Sequence, residues 1–167
     1  MQFNFDNAPL QIIDGDRGEN YPKKEEFSNS GYCLFLSTAN VTKSGFDFKQ
    51  CNFISKEKDN ALRKGKLVRG DVVLTTRGTI GNSAFYSDQI SFDNIRINSG
   101  MVIFRVNQEK LLPYYLYLFL NSKDFLSQSE SLQSGAAQPQ LPIKDIRKLE
   151  INIPDLETQK KIASILS

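Results

Sequence analysis

The hydrophobic period of this chain changes at Pro113. Before that residue, apolar side chains come in short runs or alternate, bounded by Gly, Asn and Asp clusters; after it they recur at helical spacing. Leu10–Ile13 reads as a short strand ending in the Asp14-Gly-Asp-Arg-Gly18 turn. Tyr32–Leu36 is a buried strand by length and composition, and Phe46–Phe53 alternates as a half-exposed one. Ser55 can cap a helix over Lys56–Lys64, with Gly65 past its end. Gly70–Gly81 reads as a turn, a buried strand and a glycine-bounded loop, followed by strands at Ser83–Tyr86, Ile95–Asn98 and Met101–Val106. Pro113–Leu120 then suits a helix with proline at its first position. Ser122–Ser134 is an amphipathic helix with Phe125, Leu126 and Leu132 inward and Gly135 as its stop. A polar Gln-Pro-Gln loop, a short helical turn, a Leu149–Ile153 strand and a final helix capped by Asp155 follow. Strands first and helices later predict an α+β domain around a mixed, mainly antiparallel sheet with flanking short helices.

Length and composition fit a single globular domain: 167 residues, 40% apolar and 24% charged. No apolar run approaches a membrane span, and the N-terminus lacks a basic stretch followed by an apolar one. Neither a signal peptide nor a transmembrane helix is expected. Cys33 and Cys51 stand in apolar, strand-like contexts that suit free thiols in a reducing cytoplasm; a disulfide stays open but is unneeded at this size. The net charge of +2 hides an asymmetry. Residues 43–77 carry nine basic side chains (Lys43, Lys49, Lys56, Lys58, Arg63, Lys64, Lys66, Arg69, Arg77) against four acids (Asp47, Glu57, Asp59, Asp71). A basic middle in a near-neutral chain fits either an anionic partner such as nucleic acid or a solvated face.

The sequence excludes several chemistries. There is no histidine, which removes His-based triads and His metal sites, and two cysteines eighteen residues apart make no zinc cluster. No dinucleotide or Walker-type glycine motif occurs. Asp47-Phe-Lys49, with Asp14 and Asp16 far upstream, is the nearest fragment to a metal-dependent nuclease site, and an exposed strand face explains it equally. Three loops are equipped to bind instead. Asp14–Lys24 mixes a flexible backbone with Arg17, Asn20, Tyr21, Lys23 and Lys24, which reach phosphates or base edges; Gly15 and Gly18 read as turn formers. Thr75–Thr79 offers Thr79, Arg77 and backbone N–H groups, or alternatively a tight turn between core strands. Ser134–Gln140 offers small residues for close approach and the paired donors and acceptors of Gln138 and Gln140, or else a plain linker.

Taken together and in order, these segments carry a resemblance. They are Asp14-Gly-Asp-Arg-Gly, Gly70–Gly81 with its Gly-Thr-Ile-Gly end, Ser99-Gly-Met-Val-Ile-Phe, Tyr114–Leu120, Gly135-Ala-Ala-Gln-Pro-Gln-Leu, and Ile153-Pro-Asp-Leu-Glu-Thr-Gln-Lys-Lys-Ile-Ala163. The chain resembles, nearly end to end, the target recognition domain of type I restriction–modification specificity subunits. Asp155 stands where the family often has proline.

The resemblance implies a curled sheet over residues 1–153 that reads one half of a split double-stranded DNA target. Residues 154–167 would then begin a long spacer and dimerisation helix. The side-chain chemistry of the loops and of the basic middle makes Arg17, Asn20, Lys23, Lys24, Lys43, Arg77, Thr79, Gln138 and Gln140 the candidate DNA contacts, and the resemblance implies no catalytic, metal or cofactor residues. S-adenosylmethionine, ATP and Mg would belong to partner methyltransferase and restriction subunits. A second recognition domain, or a second copy, would join through the terminal helix, where Gln159, Ile162, Ile165 and Leu166 begin a stripe needing cover. On that reading the chain is a fragment or a half-subunit. A recognition half of a fused type II methyltransferase–nuclease, and a protein-interaction adaptor, are the alternatives.

Overall fold

Val72–Leu74 and Met101–Phe104 are apolar at every position. An antiparallel strand reads this way only when both its faces are covered, since a half-exposed one alternates. The computed structural model, which describes residues 1–133 and 138–167, covers both faces. In chain order the elements are β1 (Gln2–Asn4), β2 (Leu10–Asp14), β3 (Cys33–Phe35), β4 (Val41–Thr42), β5 (Gly45–Phe46) and β6 (Asn52–Ile54), then α1 (Lys56–Ala61). Next come β7 (Val72–Arg77), β8 (Thr79–Phe85), β9 (Ile95–Arg96) and β10 (Met101–Val106). The chain closes with α2 (Pro113–Leu120), α3 (Lys123–Leu132), α4 (Ile143–Ile146), β11 (Glu150–Asn152) and α5 (Leu156–Leu166).

The central sheet is antiparallel, in the order β2-β10-β7-β8. Val72, Leu74, Val102 and Phe104 face a layer built from α2, α3, α4 and β11, including Leu116, Leu120, Phe125, Ile146 and Ile151. Val73, Met101 and Ile103 face the other way, onto Leu34, Leu36, Val41, Ile95 and Ile97. That second layer holds a mixed sheet, with β3 antiparallel to β6 and parallel to β9. The architecture is therefore the mixed α+β class expected. The N-terminus joins the last strand: β1 pairs with β11, and the Met1 ammonium donates to the Ile153 carbonyl at 3.0 Å.

Several local expectations fail for identifiable reasons. Phe46–Phe53 is not one strand. The Asn40 amide donates to the carbonyls of Asp47 and Gln50, and Asp47 accepts from Lys49 N, so the backbone turns between β5 and β6. Asp47 and Lys49 thus shape a turn. Helix α1 starts on its Ser55 cap but stops at Ala61, because Arg96 takes the carbonyls of Asp59, Leu62 and Lys64. Of the two readings of Thr75–Thr79, the tight turn between core strands is the one found: it is the tip of the β7–β8 hairpin, closed by Gly78 at φ 78°. In α3 Phe125 is buried, whereas Leu126 points outward at 56% exposure. The stop expected at Gly135 lies outside the described residues.

Much of the basic middle is structural. Arg96 and Lys66 both bind the Asp59 carboxylate, whose side chain is 5% exposed. Arg69 donates to the carbonyls of Ser87, Ile90 and Phe92 and to Asp93, and lies over the Tyr86 ring. Lys58 pairs with Glu26 at 3.0 Å. Beyond that segment, Arg105 binds Asp71, which is itself buried. Cys33 and Cys51 are free thiols, and burial pushes Cys33 up to about 12, so it stays protonated.

The stripe expected on α5 is only partly apolar. Asp155 caps the helix by accepting from Thr158 N at 2.8 Å. Gln159 has no exposed surface: its Oε1 accepts from Leu112 N at 2.8 Å, and its Nε2 donates to the carbonyls of Lys110 (2.9 Å) and Pro154 (2.8 Å). The base of α5 is thus fixed to the domain beside α2 by a polar staple, while Ile165 and Leu166 are 79% and 62% exposed.

Two replacements test these anchors. Gln159→Ala orphans buried backbone groups and should cost about 1–3 kcal/mol in urea unfolding, with faster amide exchange in α5. Unchanged exchange there would contradict the staple. Arg96→Met leaves Asp59 buried with one partner fewer and should cost about 3–5 kcal/mol. Burial alone would raise the Asp59 carboxyl, but hydrogen bonds from Lys66 and Arg96 outweigh it and hold it below its ordinary 3.8. Its stabilisation is therefore present above about pH 4 and is lost as pH falls through the lower folded value. Asp59→Asn should accordingly be destabilised at neutral pH and show a shallower loss of stability below pH 4 than the parent.

Candidate nucleic-acid interface

The register of β10 places two of the candidate loops side by side. Val102 lies opposite Asp14, where β2 ends, and Met101 lies opposite Thr75, near the end of β7. Both loops therefore leave the sheet at the same end of β10. The Asp14–Gly18 loop is then pinned by its own carboxylates. Asp16 is buried and accepts from Gly18 N at 2.7 Å and Arg63 N at 2.8 Å; these backbone donors, Arg63 first, hold its carboxyl below the ordinary value. Asp14 accepts from Gly15 N at 2.9 Å. A Cβ on Gly15 would lie 2.6 Å from the Asn98 carbonyl oxygen, so glycine is required for this close approach. Gly15 is the turn former expected.

The approach brings Arg17 onto the 98–100 segment. Its Nε donates to Asp14 Oδ2 at 3.2 Å, and its Nη2 to Asp14 Oδ1 at 3.3 Å and to the Ser99 carbonyl at 3.1 Å. Tyr21, expected to reach phosphates, instead packs edge-on against Phe35 and accepts from Ser99 N through its hydroxyl. It braces the loop.

A third segment joins from the C-terminal half. Beyond Thr75, where β10 no longer pairs with β7, Leu141 N donates to the Thr76 carbonyl at 2.9 Å and Gln140 bridges Arg77. The Gln140 Oε1 accepts from Arg77 Nη2 at 3.4 Å. Arg17, Arg77 and Gln140, each about sixty residues from the next in the chain, line one open cavity of about 260 Å³ together with Asp14, Thr76 and Pro142. Thr79 is exposed directly across the hairpin from Arg77, and Gln138 is exposed two residues before Gln140. The small residues Ser134–Ala137 lie outside the described residues.

The remaining candidates sit apart from this cavity. Asn20 is tied to α1: its amide donates to the Ala61 carbonyl, and its own carbonyl accepts from Lys58. It borders a separate polar cavity with Asp16 and Arg63. Lys23 and Lys24 are exposed beside that anchor. Lys43, at the β4–β5 turn, lines a cavity of about 330 Å³ against β8 with Asn82, Asn121 and Lys123. The two cavities thus meet the two strands of one hairpin, one against β7 and one against β8. Arg77, Lys43 and Lys123 make no ion pair among the described residues, so their charges remain available. Two residues of this surface were not read as binding groups in the sequence: Asp14, taken as a turn residue although its spacing to Arg17 was a signal, and Lys123, legible only as the start of a Ser-capped helix. Among the described residues no three acidic or cysteine side chains cluster as metal ligands, and no helix is long and apolar enough to cross a membrane.

Known proteins share this fold. A family model described as "Type I restriction modification DNA specificity domain" matches residues 11–167. The HindI type I restriction enzyme specificity subunit of Haemophilus influenzae is 26% identical over 156 residues, covering 92% of this chain and 33% of its own length. A chain from a structure on complex assembly and conformational transition of the type I R-M system superposes with a TM-score of 0.72. It is 18% identical, with 99% of this chain and 37% of that one covered. The HsdS subunit crystal structure from Thermoanaerobacter tengcongensis gives 0.67, at 19% identity and with coverage of 99% and 36%. At these identities the structural likeness is one of fold. The chain spans about a third of the length of the HindI relative.

The close approach at Gly15 is testable. Gly15→Ala should lower stability by about 1–3 kcal/mol, because the loop must lift off Asn98. An unchanged unfolding midpoint would contradict the contact.

Proposed function

Because the chain belongs to the family of type I restriction–modification DNA specificity domains, we propose that its β7–β8 hairpin and the two segments beside it read one half of a bipartite double-stranded DNA target. The observation that carries this reading is the convergence of Arg17, Arg77 and Gln140 from three distant segments on one open cavity, with the unpaired Lys43 and Lys123 on the other side of the hairpin. Guanidinium and carboxamide groups match base edges in the major groove. Unpaired lysines suit phosphates, which fix register without reading sequence. Asn20, Lys23, Lys24, Thr79 and Gln138 complete the contact surface.

The chain works as a non-catalytic component, in keeping with relatives named as specificity subunits. It directs methyltransferase and restriction subunits in the bacterial cytoplasm, and these bring S-adenosylmethionine, ATP and Mg. Residues 1–153 form the reading head. The helix from Leu156 is the base of a spacer that meets a second recognition domain or a second copy, and its exposed Ile165 and Leu166 suit such a junction.

Fluorescence anisotropy with labelled duplex DNA at two or more salt concentrations tests the reading. Log affinity should fall steeply with log salt, by a slope of about 0.9 per phosphate contacted. Lys43→Ala should weaken all sequences alike and reduce that slope by about one. Binding that ignores salt would contradict DNA recognition and favour a protein-interaction role.

A further inference from the structure

We propose that Arg17 reads a base, specifically guanine, and does not clamp a phosphate, and that Asp14 is the residue that positions it. This inference rests on the DNA-reading role proposed above and specifies its chemistry. Three observations lead to it. First, Arg17 is 45% exposed while Asp14, its ion-pair partner, is 19% exposed, so the pair has a sheltered carboxylate and an outward guanidinium. Second, the contact engages the Nε/Nη2 side of the guanidinium and adds the Ser99 carbonyl on Nη2, leaving Nη1 without a partner among the described residues. Third, the pair lines the same cavity as Arg77 and Gln140.

Charge and geometry then decide between phosphate and base. Phosphate affinity comes from net positive charge that displaces counterions. An arginine beside its own carboxylate carries almost no net charge, and a phosphate would be repelled by Asp14 as it was attracted by Arg17. What the pair keeps is direction: the two N–H donors of Nη1, held outward with little rotamer freedom left to lose on binding. Two hydrogens on one nitrogen suit a partner that presents two acceptors side by side. Guanine offers N7 and O6 in the major groove, whereas adenine places an amino donor beside N7, cytosine presents an amino donor, and thymine sets a methyl beside its O4. Arg77, held by a neutral carboxamide, keeps its charge and carries no such restriction.

The test is selection of bound duplexes from a random DNA library at low salt, sequenced for the 167-residue chain and its variants, followed by salt titration on the selected duplex. The parent should enrich a motif with guanine at one position. Arg17→Ala should lose roughly ten- to a hundredfold of the preference at that position alone, with the salt slope nearly unchanged. Asp14→Asn should blur that position while binding to unselected DNA tightens, because a negative charge is gone; a merely structural role for Asp14 would weaken both. Uniform weakening by Arg17→Ala, with the slope reduced by about one, would make Arg17 a phosphate contact and overturn the inference while leaving DNA recognition intact. An Arg17-dependent preference for another base would overturn the guanine assignment. A parent chain that enriches no motif would overturn the DNA-reading role itself, and the inference with it.

Discussion

The pairing of β10 between β2 and β7 is the constraint on which the rest depends. Its register sets Asp14 opposite Val102 and Thr75 opposite Met101, so two loops distant in sequence emerge together. That register is enforced by burial on both sides: Val102 and Phe104 enter one core, Met101 and Ile103 the other. A slip of one residue would exchange the two sets and move both loops relative to each other. The reading surface is therefore a by-product of core packing at its most determined point. The loops add only local fixings, the close approach at Gly15 and the carboxylates of Asp14 and Asp16.

The charged residues divide along the same line. Arg96, Lys66, Arg69 and Arg105 point inward and satisfy carboxylates or carbonyls, where removing one partner leaves another charge or acceptor stranded. Arg77, Lys43 and Lys123 stand around the hairpin without acidic partners. Arg17 belongs to neither group, because it is exposed yet paired. A basic count along the sequence cannot separate these classes. Only the position of each carboxylate relative to the sheet does.

What was legible in the sequence follows from how local each cause is. The strands at Leu10, Val72 and Met101, the proline-started helix at Pro113, and the caps Ser55 and Asp155 were readable because composition and capping act within a few residues. The break between β5 and β6 was not, since it is made by Asn40, and the early end of α1 was not, since it is made by Arg96. Gln159 was taken into an apolar stripe by its spacing, but the groups it satisfies lie on another segment. At the site, Arg17, Arg77 and Gln140 were each legible as binding types, and their meeting was not, because it depends on the β10 register and on the bridge from Gln140 to Arg77. The site reading also scattered Asn20, Lys23 and Lys24 into one loop with Arg17, whereas Asn20 is drawn away to α1.

A single DNA-reading cleft assembled from three segments is the central claim. Hydrogen–deuterium exchange with and without a bound duplex tests it most directly, because protection is read residue by residue. The account predicts slowed exchange on DNA binding together in Gly15–Gly18, at the β7–β8 turn around Arg77–Thr79 and at Gln140–Leu141. The backbone of β6, in the layer on the other side of the central sheet, should not change. Protection confined to one of the three segments, or centred on β6, would contradict it.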